Sequence, residues 1–304
     1  MNPNIFHIDE NVRKNALEEH NKTEETARED AKTIQIWMKT QHHLPEVMDE
    51  AKIINFLFMN KFNVEKTKRK IDTYYTVRSL IPDFFEQTNP KSPLMREVVD
   101  ALYFGVCPKA LNDKHRVFII KVRESNKFGP RELVMHSANV TEMRLYEDCF
   151  GSGEILIFDM INVSLSDLKK LTPTVVAKIL AIFQKVYSIR SEGIYILNSP
   201  SYVSVVISIL KSVLKPKIFE RVQVCENTDI LKTIISSEDI PKDYGGEGPT
   251  LEELHEMVNL KLAFYQDRFD ELDHLRVDES LRAEKLNTEE ILGIYGKFKK
   301  FHFD

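Results

Sequence analysis

At 304 residues the chain has room for one large core and a smaller satellite. An apolar content of 42% and a charged content of 29% are those of a soluble globular protein, and a formal net charge of −5 leaves no excess of Lys and Arg to displace counterions from nucleic acid. The cysteines, Cys107, Cys149 and Cys225, are few and widely spaced, and suggest neither a disulfide framework nor a zinc site. No apolar run reaches bilayer-spanning length and the first residues hold no signal-type apolar region, so a reducing, cytoplasmic setting is expected.

Residues 10–35 are dense in both charge signs and predict an exposed helix running into Ile34, Ile36, Trp37 and Met38. Leu44 and Pro45 mark a break. Ile53, Ile54, Phe56, Leu57, Phe58 and Met59 then predict a short, strongly apolar helix. Asn63 is placed to cap a third, continued at helical spacing by Ile71, Tyr74, Tyr75, Val77 and Arg78. The run KTKRK, with Lys66, Lys68, Arg69 and Lys70, reads as a solvated face rather than a binding patch. The turn-forming stretch QTNPKSP bounds a helical domain over 1–90.

Beyond it the period changes. Residues 101–106 and 116–122 are strand-like and joined through Asn112 and Asp113, which predicts a hairpin. A helix is predicted over 130–146 and a strand over 154–160. Thr172 and Pro173 start another helix, whose Val175, Val176, Ile179, Leu180, Ile182, Phe183, Val186 and Tyr187 make a wide apolar face. Strands at 193–197 and 221–225 flank a further helix. Strands alternating with helices give an α/β domain over 91–249, with a mostly parallel sheet buried on at least one face. Residues 250–304 form a C-terminal region, helical over 251–272 and ending in a charged tail.

The helix at 201–215 is the organising feature. Ser201, Ser204, Ser208, Lys211, Ser212 and Lys215 make one narrow polar stripe, and Pro216 interrupts the helical pattern at its end. Tyr202, Val203, Val205, Val206, Ile207, Ile209, Leu210, Val213 and Leu214 cover the rest, a band wider than an ordinary surface helix buries. Apolar cover on more than one side is expected. Two readings stand: a helix enclosed by core, or a lid with one flank over an apolar cavity and the other free to meet a membrane.

Signals for catalysis are missing: there is no GxSxG elbow, no GxGxxG after a strand, no Walker A loop and no HExxH. Gly151, Ser152 and Gly153 precede a strand and read as a turn. His42 and His43 lack metal-ligand spacing and read as a loop pair. Asp159 ends a strand and is assigned a structural, turn-capping role. No catalytic residue, metal or cofactor is expected. His136 shares a helix face with Leu133, Val140 and Met143, and is either a satisfied core residue or a polar contact to a ligand head group. Lys211, Lys215, Lys217, Arg221 and Arg190 cluster about the lid, diluted by Glu192 and Glu220; they are either a solvated face or an anion site.

The segments HRVFIIKV, EILIFDM, LTPTVVAKIL, IYILNSP, KPKIFERVQV and IPKDYGG, in this order and spacing, resemble the CRAL-TRIO lipid-transfer family, its alpha-tocopherol transfer protein-like branch and insect relatives in particular. IINFLFMNKFNVEKTKRKIDTYYTVRSLIPDFF resembles that family's helical N-terminal domain, and the tail YGKFKKFHFD is similar to insect members. The resemblance implies an α/β fold whose sheet floors a lipid cavity, covered by helices with a mobile gate at 201–215, plus an all-helical N-terminal domain. It implies a lining of Leu133, His136, Val140, Phe158, Val163, Leu165, Ile179, Ile182, Phe183, Ile189, Ile194, Val203, Val206, Ile207 and Leu210. It also implies a phosphoinositide head group gripped beside the gate, a character kept by Arg190, Lys217 and Arg221, while Glu192 reverses one position. Asn55, Phe58 and Asn60 stand where the family's N-terminal helix adds arginines. Val163 replaces a bulky aromatic and His136 a small polar residue, so the cavity is expected to differ in shape from a tocopherol site.

The resulting expectation is a monomeric, non-enzymatic carrier of one small hydrophobic lipid, tocopherol-, retinoid-, carotenoid- or sterol-like. It would release that lipid at a membrane surface, an anionic one included, with no nucleic-acid partner. The alternative is a non-transporting interaction module that docks a membrane or a partner protein. An enzyme acting on a bound lipid would need a polar catalytic set in the cavity beyond His136.

Overall fold

A computed structural model of the chain describes residues 5–6, 10–111, 115–147 and 153–284. The turn at Asn112 and Asp113, Cys149, the Gly151 and Ser152 turn residues, and the tail motif at 295–304 lie outside the described residues.

The charged N-terminal stretch forms two helices where one was expected, α1 (Glu10–Glu18) and α2 (Glu24–Lys39). Asn21 turns the chain left-handed at φ 54°, and Thr23 with Thr26 makes a reciprocal capping box that starts α2 afresh. Nor is α2 simply exposed, since Ala27, Ala31 and Ile34 are fully buried. Helix α3 (Glu50–Met59) is buried from Lys52 to Phe58, as an all-round apolar helix must be. Asn63 caps α4 (Val64–Leu80) by accepting from the Lys66 amide at 2.8 Å. Within the KTKRK run Lys66 and Arg69 are exposed, but Lys70 is not a solvated charge. Its ammonium donates to the carbonyl of Gln184, at 2.7 Å, and to that of Lys185.

Helix α5 (Pro93–Ala101) leads into a five-stranded sheet of order β1-β2-β3-β4-β5. Strands β1 (Leu102–Val106) and β2 (His115–Val122) pair antiparallel; β3 (Gly153–Asp159), β4 (Ser191–Leu197) and β5 (Val222–Val224) continue in parallel. The crossovers carry α6 (Pro130–Glu147), α7 (Leu165–Lys169), α8 (Pro173–Leu180), α9 (Val203–Val213) and α10 (Pro216–Phe219). Helix α8 runs on into a π-helical segment, Ala181–Val186. After the sheet come α11 (Leu231–Ile234), α12 (Leu251–Phe264) and α13 (Gln266–Leu272), the last two broken at Tyr265 where one helix was expected.

Strand alternation divides the burial between the two faces of the sheet. Val117, Ile119, Ile155, Ile157, Tyr195 and Leu197 pack against Leu231, Ile235, Ile240 and Leu251 in a closed core. Phe118, Ile120, Leu156, Phe158, Ile194 and Ile196 alternate with them and face α6, α8 and α9. Helix α12 lies along β1, with Leu254 so near Gly105 that a Cβ there would come within 3.1 Å of it. The N-terminal helices share one core with Val134, Ala138 and Leu145 of α6 and with Ile182, Val186 and Tyr187 of the π segment.

Candidate functional site

Between the second sheet face and the helices lies a chamber of about 340 Å³. Phe118, Ile120, Leu156, Phe158, Ile194 and Ile196 form its floor; Leu133, Val140 and Thr141 of α6 and Ile179, Leu180 and Phe183 of α8 and its π extension form its walls. Val206 and Leu210 of α9, with Leu214 and Ile218 beyond it, close it. Leu133, Leu156, Phe158, Ile179, Phe183 and Ile194 are only partly buried although they sit inside the fold, because they line empty space rather than other side chains. The size falls within the usual range for small-molecule pockets, roughly 300–1,000 Å³.

Of the residues named from the sequence, Leu133, Val140, Phe158, Val163, Ile179, Phe183, Ile189, Ile194, Val206 and Leu210 border the chamber. Five others are placed elsewhere. His136 is fully buried with its ring 5.0 Å from that of Phe104, pointing at β1. Burial, with the neighbouring His255 second, lowers its pKa to about 3, and its Nε2 has no hydrogen-bond partner. It is a core histidine, though not a satisfied one. Leu165 opens α7 facing outward, and Leu168, three residues on, takes the inner position. Ile182 packs against the N-terminal helices, because the wide apolar face of α8 is shared between two cores. Val203 and Ile207 pack against Met160, Leu168 and Ile196, which themselves border the chamber.

Sequence reasoning missed Leu156, Ile196, Phe118 and Ile120, all of which period-two alternation from Phe158 and Ile194 would have supplied. It also missed the polar members. Glu154 borders the chamber although it is buried, and it is ion-paired with Arg144 of α6. Ser137 and Thr141, one turn apart on α6, border it as well.

Helix α9 presents a narrower buried stripe than expected. Of its eleven residues only Val206 is buried, and Val205 on the outer flank is 42% exposed. Apolar cover on more than one side is therefore not supplied by the described residues of the chain. Tyr202 at the start of α9 donates to the carbonyl of Val163 at 2.6 Å, a latch onto the loop after β3. Asn198, left-handed at φ 50°, donates to Asp159 Oδ1 at 2.8 Å. Asp159 also accepts from Tyr244 Oη at 2.9 Å and from the Ile161 amide at 3.1 Å. The structural role expected of Asp159 is thus concrete: it ties two strand ends to the root of α9.

The basic residues about α9 are not equivalent. Arg221 pairs with Glu192 at 3.0 Å and donates to the Ser191 carbonyl, whereas Arg190 and Lys217 are exposed. In the N-terminal helices Asn55 donates to the Leu145 carbonyl at 3.0 Å and Asn60 to that of Phe56 at 2.9 Å. A buried charge group lies behind the chamber. Glu142 of α6 accepts from Lys52 at 2.6 Å and from Tyr74 at 2.8 Å, with Arg78 and Arg268 at 3.7 and 3.8 Å. Burial pushes its carboxyl up, but Lys52, Arg78 and Arg268 together outweigh that and hold it low.

A mostly parallel sheet, a helical roof and a largely apolar chamber between them define an α/β protein with a guest-sized space. Residues 103–246 match the CRAL/TRIO domain and residues 23–95 the Pinta-like, UBA domain. The chain thus carries a CRAL/TRIO domain over residues 103–246. It is 23% identical over 221 residues to the Alpha-tocopherol transfer protein-like protein of Mus musculus, covering 70% of this chain and 63% of that one. It is 26% identical over 221 residues to Clavesin-1 of Xenopus laevis, covering 66% and 62% respectively. The match thus spans less than two thirds of the length of these relatives. The crystal structure of Sfh5 aligns at a TM-score of 0.47 and 14% identity, covering 88% of this chain and all of that one. Among the described residues no helix is long and apolar enough to cross a membrane.

Proposed function

We propose that the chamber binds one small hydrophobic lipid, and that displacement of α9 at a membrane lets the lipid in and out. The observation that carries this reading is the apolar space itself, closed on one side by a helix that is held mainly by its inner stripe. A guest hiding roughly 400 Å² of apolar surface gains about 10 kcal/mol at about 25 cal/mol per Å². Escape into water is then slow, and a membrane is the natural acceptor. Ile161, Leu165 and Val205, 60%, 41% and 42% exposed, are apolar groups at and near the α9 edge that suit a lipid surface. Arg190 and Lys217 suit an anionic one, with Arg221 already engaged by Glu192.

Organic extraction and mass spectrometry of the purified protein test the proposal. A stoichiometric apolar lipid is expected. Replacing Val206 and Leu210 with Asp places charge on the inner face of α9, and is expected to abolish lipid uptake with the circular dichroism spectrum unchanged. Unaltered retention would refute the assignment of the chamber as the binding site. An interaction module without cargo would yield no extractable lipid from the unmodified protein.

A further inference from the structure

Polar side chains border the chamber at several points, Asn126, Asp167, Gln184 and Ser191 among them, but the corner formed by Glu154, Ser137 and Thr141 is one-sided in its chemistry. Glu154 lies on the chamber face of β3, in step with Leu156 and Phe158, so period-two alternation would place an apolar side chain there. Instead it is a carboxylate, 7% exposed, paired with Arg144, 8% exposed, on the last turn of α6. Thr141 is three residues before Arg144 and Ser137 four before that, on the flank of α6 that borders the same space.

The two hydroxyl protons in this corner are committed. Ser137 Oγ donates to the Leu133 carbonyl at 2.8 Å and Thr141 Oγ1 to the Ser137 carbonyl at 2.9 Å. Each hydroxyl oxygen therefore has only lone pairs to offer a guest. A carboxylate has about four acceptor sites, of which one is met by Arg144 Nη1. Arg144 meanwhile offsets the charge of Glu154.

We propose that this corner selects the head group of the cargo: Glu154, positioned by Arg144, accepts a hydrogen bond from a neutral lipid alcohol. The assignment rests on the carrier reading above and names its ligand class. An aldehyde or ester oxygen finds no free proton at Glu154, Ser137 or Thr141. A carboxylate head meets a second, buried carboxylate and is rejected most strongly. The apolar remainder of the chamber takes the hydrocarbon.

Three probes sharing one hydrocarbon skeleton test this: all-trans-retinol, retinaldehyde and retinoic acid, offered to the full chain as an equimolar mixture, then extracted from the re-isolated protein and quantified. The alcohol is expected to be retained over the aldehyde by roughly tenfold, the size of a hydrogen bond to a charged acceptor, and over the acid by more. Arg144→Leu alone would strand a buried carboxylate, so the informative variant is the double replacement Arg144→Leu with Glu154→Ile, its folding checked by thermal denaturation. It is expected to hold all three probes and to lose the preference; Glu154→Gln, which adds an amide donor, is expected to admit the aldehyde. Equal retention of alcohol and acid by the unmodified protein, or a preference that survives in the folded double variant, overturns the head-group assignment and leaves the carrier reading standing. If the unmodified protein retains none of the three and yields no lipid on extraction, the carrier reading falls and this assignment falls with it.

Discussion

Replacing His136 with Leu tests whether this histidine belongs to the core or to the chamber. Its pKa is lowered from 6.5 to about 3, chiefly by burial, so the folded protein keeps the ring neutral where the unfolded chain already binds a proton. A depressed folded pKa gives stability that is present above the unfolded value and lost as the pH falls towards the folded one. Between pH 7 and pH 5 the loss assignable to this side chain is about 2 kcal/mol, close to 1.4 kcal/mol for each pH unit below 6.5. Leucine removes the titrating group and strands no hydrogen-bond partner, because Nε2 has none. Urea unfolding of both proteins at pH 7 and pH 5 measures the difference. The unmodified protein should lose about 2 kcal/mol more than His136→Leu, with no change in lipid retention. Parallel pH dependence in the two proteins would refute the argument, and a changed ligand preference would return His136 to the chamber.

Two further perturbations separate the frame from the gate. Glu142→Leu strands Lys52 and Arg78 in the interior without their carboxylate, and is expected to destabilise the fold by about 3–5 kcal/mol, read from the urea midpoint. Tyr202→Phe removes the 2.6 Å latch to Val163, a net loss of about 1 kcal/mol that falls on the closed state of α9. Lipid transfer to vesicles is then expected to run roughly fivefold faster, with unfolding stability lowered by no more than about the same 1 kcal/mol, and an unaltered transfer rate would exclude the latch.

Most of the architecture was legible because the period of the apolar residues changes along the chain. Pro130 and Thr172 with Pro173 mark helix starts at the places where the structure has them, and Pro216, expected only to interrupt a helix, also opens the short α10. Breaks made by backbone geometry were harder to read. Asn21 and Tyr265 interrupt helical patterns that are continuous in hydropathy. At the chamber, residues chosen along strands and at Val206 and Leu210 border the space, whereas the helix choices scattered. One position of helical phase decides between chamber and core: Ile179 and Phe183 line the space while Ile182 fills the N-terminal core, in a segment whose π turn shifts that phase. The charged residues were hardest. Lys52 stands inside an apolar helix and Glu154 begins an apolar strand; each breaks a pattern locally, and its partner lies on α6, beyond the reach of sequence spacing.

The two sides of the chamber are held differently, and that difference is what a gate requires. Behind α6 stand Glu142 and its cations, drawn from α3, α4 and α13. Behind the π segment stand Ile182, Val186 and Tyr187 in a solid core, with Lys70 on the carbonyls at its end. Moving either wall would expose buried charge or open a cavity in packed side chains, both costly. Helix α9 has one buried residue, no side-chain cap at its N-terminus and an exposed outer flank, so lifting it exposes little that the chain itself had covered. Local opening favours the element with the fewest buried contacts. That opening is resisted by the latch at Tyr202, the root at Asn198 and Asp159, and the apolar contact of Val206 and Leu210 with whatever fills the chamber. On the carrier proposal, a guest would stabilise the closed helix, and a membrane competing for the same inner stripe would weaken it. Retention in water and release at a lipid surface would then come from one set of side chains.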